Sequence, residues 1–327
     1  WYNTLPELVR DAAKFPFSRP LGTQYVPRSD SNIEFDSSFA RSHDIPGIMF
    51  VNWYPTIGLC HILTHRINIV SREVYSFVRH ANSGHANYDA PDLMLYFMAM
   101  DSVICILRHV RRVYGMMMLY TANNRILSRS FSTGSRLDFT DVQRNLAQLR
   151  WAINSLPINI GSLAVPANMS YFARHIWLNS GVYLDSNSSK AQTYMFKPGC
   201  ILQVNNPTVG SGFKSVSTNS PSALVNANDS KSDWIDTMNS FVDPILASED
   251  FNIMSGDILK AFAKRQDNLF SVAQLLEEYV VVPSYSQEVL SQIQNLSIMG
   301  YPDTTVSYKT GGICNIVQRN VDSDTMG

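Results

Sequence analysis

The chain has 327 residues, 45% of them hydrophobic and 16% charged, with a formal net charge of −1. That length is enough for one large domain or two ordinary ones, whose core needs no disulfide or metal staples, which sets aside the class of small stapled scaffolds. Few charges in a globular composition suit a surface partly covered by partners. Cys60, Cys105, Cys200 and Cys314 are far apart and form no C-x-x-C; Cys60 and Cys105 lie in apolar stretches and read as buried free thiols. No charged, apolar leader opens the sequence, so no signal peptide is expected in these residues.

Residues 1–60 read as an extended arm, since prolines at 6, 16, 20, 27, 46 and 55 break any long helix. One short helix is expected near Leu5–Lys14. The arm's Trp1, Phe15, Phe17, Phe50, Trp53 and Tyr54 need a surface to lie on, and the stretch Ile45–Gly58 is expected to cross a subunit boundary. From Ile67 the pattern turns helical: Ile67, Val70, Val74, Phe77 and Val78 recur at three- and four-residue steps. Asp89 then stands as an N-cap before Ala90-Pro91, and a helix is predicted from there to about Tyr114, with Gly115 as its stop. Its apolar run Leu93–Met100 meets Asp101 after eight residues, and Arg108, His109, Arg111 and Arg112 follow. A membrane span needs ~20 predominantly apolar residues, so this is expected to be a buried core helix with a basic end.

Further helices are predicted over Asp138–Leu156 ended by Pro157, over Pro166–Ser180, Asp233–Leu246 and Ser286–Leu296, and over Ser255–Lys264 with Ser255-Gly256-Asp257 as its cap. Short strands are expected at Val182–Leu184, Gln192–Phe196, Cys200–Val204 and Tyr279–Val282. Residues 205–230 form a low-charge Gly/Ser/Asn/Pro loop or junction. The fold class is mainly α (α+β), a large helical domain with small β-sheets. Three segments are expected: the arm 1–60, a helical core 61–205, and a junction 206–327 leading to helices and short strands.

Little of this carries catalytic chemistry. Cys60, His61 and His65 make a C-H-x3-H cluster, but no second pair at metal-binding spacing follows, so ordinary partly buried histidines are the reading and no metal or cofactor is expected. The segment Gly210–Ser215, GSGFKS, lacks the spacing of a phosphate loop, and no G-x-S-x-G elbow or GDD triplet is present. A metal-dependent enzyme on Cys60, His61 and His65 remains the weakest reading, and the chain is not expected to be an enzyme. The cations are better candidates. Residues 61–151 hold 11 basic against 6 acidic residues, residues 221–327 hold 6 against 14, and every cation between Lys14 and Lys190 is arginine. Arg108, Arg111 and Arg112 share a helical face, and Arg125 and Arg129 follow. Such a set can meet phosphate without reading sequence, or can pair with carboxylates inside or between subunits.

Long blocks carry a resemblance. The stretch Tyr75–Tyr96, YSFVRHANSGHANYDAPDLMLY, closely resembles a block in picobirnavirus capsid proteins. WYNTLPELVRDAAKFPFSRPLG at the start, DIPGIMFVNWYPTIG at Asp44–Gly58, Val165–Phe196 and Val281–Asn295 agree in the same order. The resemblance implies a picobirnavirus/partitivirus-like capsid fold with a shell and a protruding region. It also implies homodimers that close into a T=1 icosahedral shell around genomic double-stranded RNA, bound non-specifically and without a membrane. On this reading Arg108, Arg111, Arg112, Arg125 and Arg129 are candidates for RNA contact, and the arm's aromatics for subunit contact. The alternative is a sequence-independent RNA-coating protein that forms no closed shell.

Overall fold

From Arg66 the three- and four-residue recurrence of apolar side chains winds the chain into a helix over Arg66–Ala81, α1. The computed structural model describes residues 24–25, 43–44, 48–55, 61–84, 88–119, 128, 131–132, 134–135, 137, 139–187, 191, 193–204, 213–217, 232–262, 269–294 and 313–317. The expected helix at Leu5–Lys14 lies outside these residues.

The next helix, α2, runs unbroken over the 30 residues Ala90–Leu119. At its start the Asp92 carboxylate accepts from the Asp89 backbone N–H at 2.9 Å, tying the first turn. Gly115 does not stop this helix. A Cβ there would fall 2.6 Å from Val281 Cγ2 and 2.9 Å from the Val281 nitrogen, and the Gly115 carbonyl accepts the Val281 N–H. The glycine lets another segment approach the helix backbone, and α2 continues past it. Among the described residues α2 is long and apolar enough to cross a bilayer, but nearly all of its residues from Tyr96 to Met117 are buried inside the chain. It is the central pillar of the core.

The helix expected over Asp138–Leu156 is two helices, α3 (Phe139–Arg144) and α4 (Leu146–Asn159). They part at Asn145, whose side chain bonds the Asp141 carbonyl and carboxylate. Pro157 lies inside the last turn of α4 rather than beyond it. Its ring removes one N–H bond from that turn, and the helix ends two residues later at Asn159. Helix α5 covers Ser170–Ser180, and α6 covers Ser232–Leu246. Helix α7 begins at Glu249, capped by Ser248 Oγ at the Phe251 N–H. Ser255 is therefore no cap. It sits buried inside α7, donating to the Ser162 carbonyl and accepting from the Ala164 N–H. Helix α8 covers Gln287–Gln294.

The strands are short. β1 (Gln24–Tyr25) pairs antiparallel with β2 (His43–Asp44). A five-stranded mixed sheet has β3 (Ile48–Trp53) beside β5 (Thr193–Pro198) and β9 (Ile313–Val317), both parallel to it. β4 (Tyr183–Leu184) joins β5 to β8 (Ser284–Tyr285), giving the order β8-β4-β5-β3-β9. β6 (Cys200–Val204) and β7 (Phe213–Ser217) make a hairpin. This sheet draws strands from all three expected segments. Tyr279–Val282 is not a strand, because the Val281 N–H is spent on the Gly115 carbonyl of α2. Residues 269–283 form an extended strap along the helices. Asn154 of α4 bonds the Leu275 backbone on both sides, and the Tyr114 hydroxyl donates to the Glu277 carbonyl.

One hydrophobic cluster joins α2, α4, α5, α6 and α7, with Tyr96, Phe97, Ile104, Ile153, Phe172, Ile245 and Ile258 almost wholly enclosed. Two smaller clusters lie under the sheet, around Trp53 and Phe196 and around Phe50 and Phe131.

Candidate functional site

Helical spacing places Arg108, Arg111 and Arg112 on one face of α2, and the structure shows what that face meets. Arg112 is fully buried. Its Nη1 donates to the carbonyls of Leu178 (2.9 Å) and Gly181 (3.2 Å), and its Nη2 to the Phe196 carbonyl (2.7 Å). Nη2 also lies 2.8 Å from His109 Nδ1, which must accept, since a guanidinium only donates. Burial pushes the Arg112 guanidinium down to about 9, leaving it charged at neutral pH. Burial, helped by the nearby Arg112 and Lys197 charges, holds His109 well below its usual 6.5, in the neutral form that can accept. Arg111, also buried, donates to the Ala273 carbonyl at 2.7 Å and lies over the Tyr279 ring. Arg108 is half-buried over the Phe270 ring.

Arg112 thus fastens α2 to α5 and the sheet, while Arg108 and Arg111 fasten it to the strap. Of the two readings open for these cations, phosphate contact or pairing inside the chain, the enclosed Arg111 and Arg112 take the second, with backbone carbonyls in place of carboxylates. The cause is that bare carbonyls at the end of α5 and in the strap need donors that the packed side chains around them lack. Arg125 and Arg129 lie outside the described residues.

The arm's aromatics also turn out differently. Phe50 is wholly buried, and Trp53 is 6% exposed with its ring 4.5 Å from that of His175. Both pack within their own chain, because β3 lies inside the sheet. The expectation that Ile45–Gly58 crosses a subunit boundary is corrected for these two residues. Tyr54, just past the strand, is partly exposed and lies against Gly199, where an added Cβ would come 2.5 Å from its ring. Trp1, Phe15 and Phe17 lie outside the described residues.

Large apolar side chains do face outward, at places the sequence reading missed. Trp151 is 63% exposed, Ile158 78% and Leu276 68%. With Arg150 and Glu277, an ion pair at 3.2 Å, they line one depression between α4 and the strap. Ile62 and Leu63 are exposed just before α1, whose Ile69 and Phe77 line a second depression with Arg72, Glu73 and His80. The available signal was that Trp151 falls off the buried Leu149–Ile153 face of its helix. Periodicity marked Val70 and Phe77 as apolar but could not say what covers them.

Among possible metal ligands, His61 and His65 are edge-on neighbours in the turn before α1, and Cys60 lies outside the described residues. A different set is brought together deep in the chain. Asp101 and Cys105 of α2 and His175 of α5 place their ligand atoms within 4.8 Å of one another.

A family model described as "Picobirnavirus, Capsid protein" matches residues 1–326. The chain belongs to the picobirnavirus capsid protein family. It is 36% identical over 315 residues to the capsid protein precursor of a human picobirnavirus (strain Human/Thailand/Hy005102/-), covering 95% of this chain and 56% of that protein. A crystallographic structure of the picobirnavirus capsid matches the fold with a TM-score of 0.74 at 23% identity, over 91% of this chain and 58% of that one. The chain therefore spans a little over half the length of the relatives it matches. Membership of this capsid family makes it a structural protein of the virion, and its helical body with a small mixed sheet is the capsid fold that the resemblance implied.

Proposed function

We propose that this capsid chain builds the shell of a small T=1 particle, through isologous dimers joined by heterologous contacts, around a double-stranded RNA genome. What carries the reading is the outward placement of Trp151, Ile158 and Leu276 on a chain of this family with only 16% charged residues. Apolar side chains this exposed gain ~25 cal/mol for each Å² removed from water, and copies of the chain are what a capsid offers to remove it. Residues 1–205 would supply most of the shell, with the protruding part beyond residue 205. RNA contact without sequence readout is supported by the arginine bias of residues 61–151, with the half-buried Arg108 and with Arg125 and Arg129 as its candidates. No step of catalysis is part of this function.

The reading is tested by sedimentation of nuclease-treated protein, with the 260/280 absorbance ratio taken across the gradient. A single fast species that keeps nuclease-protected RNA is expected. Slow species that bind RNA with a steep salt dependence, under every condition tried, would favour the RNA-coating alternative.

A further inference from the structure

Asp101 breaks an otherwise apolar stretch of the central helix, and a buried carboxylate needs a reason to be there. It is 2% exposed, Cys105 is 2% exposed one turn further on, and His175 of the facing helix α5 is 8% exposed. His175 Nδ1 lies 2.6 Å from Asp101 Oδ2, and Cys105 Sγ lies 3.8 Å from the same oxygen. The imidazole is clasped between two aromatic rings, Trp53 at 4.5 Å and Tyr171 at 4.4 Å, which fixes its direction. The other carboxylate oxygen, Asp101 Oδ1, is buried and makes no hydrogen bond among the described residues, although the Tyr171 phenol faces the same carboxylate.

Three donor types thus converge: a thiol, an imidazole and a carboxylate with one unspent oxygen. All three are ligands of one metal class. Zinc and its neighbours take sulfur at ~2.3 Å, nitrogen at ~2.0 Å and oxygen at ~2.0–2.2 Å, with water as a usual fourth ligand. An oxygen-only cation such as calcium or magnesium is unsuited to the thiol and the imidazole. His175 also lines an outward depression with Ser170, Tyr171, Ala173, Arg174 and Trp177, which gives an ion a short path in.

We propose that Asp101, Cys105 and His175 form a binding site for one zinc-class divalent cation, linking α2 to α5 beneath the sheet. Binding exchanges the hydrogen bond between His175 and Asp101 for two metal bonds. It releases the Cys105 thiol proton to solvent, together with any proton held between imidazole and carboxylate. Binding needs the thiolate, the carboxylate and an unprotonated imidazole nitrogen, so acid weakens it. The site is separate from the apolar faces proposed for assembly, and its role is to brace the subunit.

The test is cobalt titration of the stripped, folded protein, followed by zinc competition. The expected result is one Co²⁺ per chain with a thiolate-to-cobalt charge-transfer band, displaced by one equivalent of zinc. Cys105→Ser should abolish the band. His175→Gln should weaken binding at least about tenfold, the loss that removing even an outer-shell partner causes. Should the variants fold poorly, zinc X-ray absorption on the unaltered protein replaces them, and a single sulfur ligand is expected. A folded protein that takes up no stoichiometric cobalt, a band that survives Cys105→Ser, or a zinc site without sulfur would overturn the proposal. Particles that assemble without metal would leave the capsid reading intact, so the two claims fail separately.

Discussion

Arg112 shows how much one enclosed side chain can hold. Its guanidinium satisfies three carbonyls and one imidazole nitrogen. Arg112→Met keeps much of the volume but strands those acceptors, each at ~1–3 kcal/mol. The expected loss is about 3 kcal/mol or more of subunit stability in urea unfolding. Lysine should rescue little of it, because a point charge cannot reproduce the planar fork. A Met variant within about 0.5 kcal/mol of the parent would show that the bonds are not made. The neighbouring His109 makes a pH prediction. Its folded pKa lies below the ordinary 6.5, so the unfolded chain binds this proton more tightly. Stability from this group is full above about pH 6.5 and falls as pH drops toward the lowered folded pKa, by up to ~1.4 kcal/mol per pH unit. His109→Gln keeps an acceptor for Arg112 and removes the titration. The stability gap between parent and variant should therefore shift against the parent between pH 7 and pH 5, and a gap constant with pH would contradict the burial.

At the scale of elements, Gly115→Ala separates two physical arguments. Helix propensity alone says alanine gains about 1 kcal/mol. The backbone of the strap, 2.9 Å from the added carbon, says that packing is lost, typically by ~1–3 kcal/mol. A net fall in thermal stability is expected, and a rise would mean that the strap does not lie against α2. The same contrast explains what the sequence showed and what it hid. Periodicity marked α1, the start of α2 and the strands β5 and β6, because local spacing decides those. It did not show that α2 passes Gly115, that the helix over 138–156 breaks at Asn145, or that Val281 gives its N–H to a helix carbonyl. Each of those is decided by a partner distant in sequence or by a side chain competing with the backbone. The inward turn of Arg111 and Arg112 was hidden for the same reason, since their carbonyl partners lie 66 to 162 residues away.

For the whole molecule, long sequence blocks revealed the family far better than any single site did. A shell protein does its work through surfaces, and surfaces leave weak patterns in one chain. Ile158, 78% exposed, is the clearest point at which to separate folding from assembly. Ile158→Asp should leave subunit stability within about 0.5 kcal/mol, as exposed substitutions do, while reducing particle yield severalfold. Equal yields would remove the α4 face from the contacts.

The most direct measurement is electron microscopy of the nuclease-treated protein, unaltered and as Ile158→Asp. Closed particles of one diameter for the unaltered protein, and few or none for the variant, are the expected result. An unaltered protein that stays as small, open species across salt and pH would contradict the account of this chain as a shell-forming subunit.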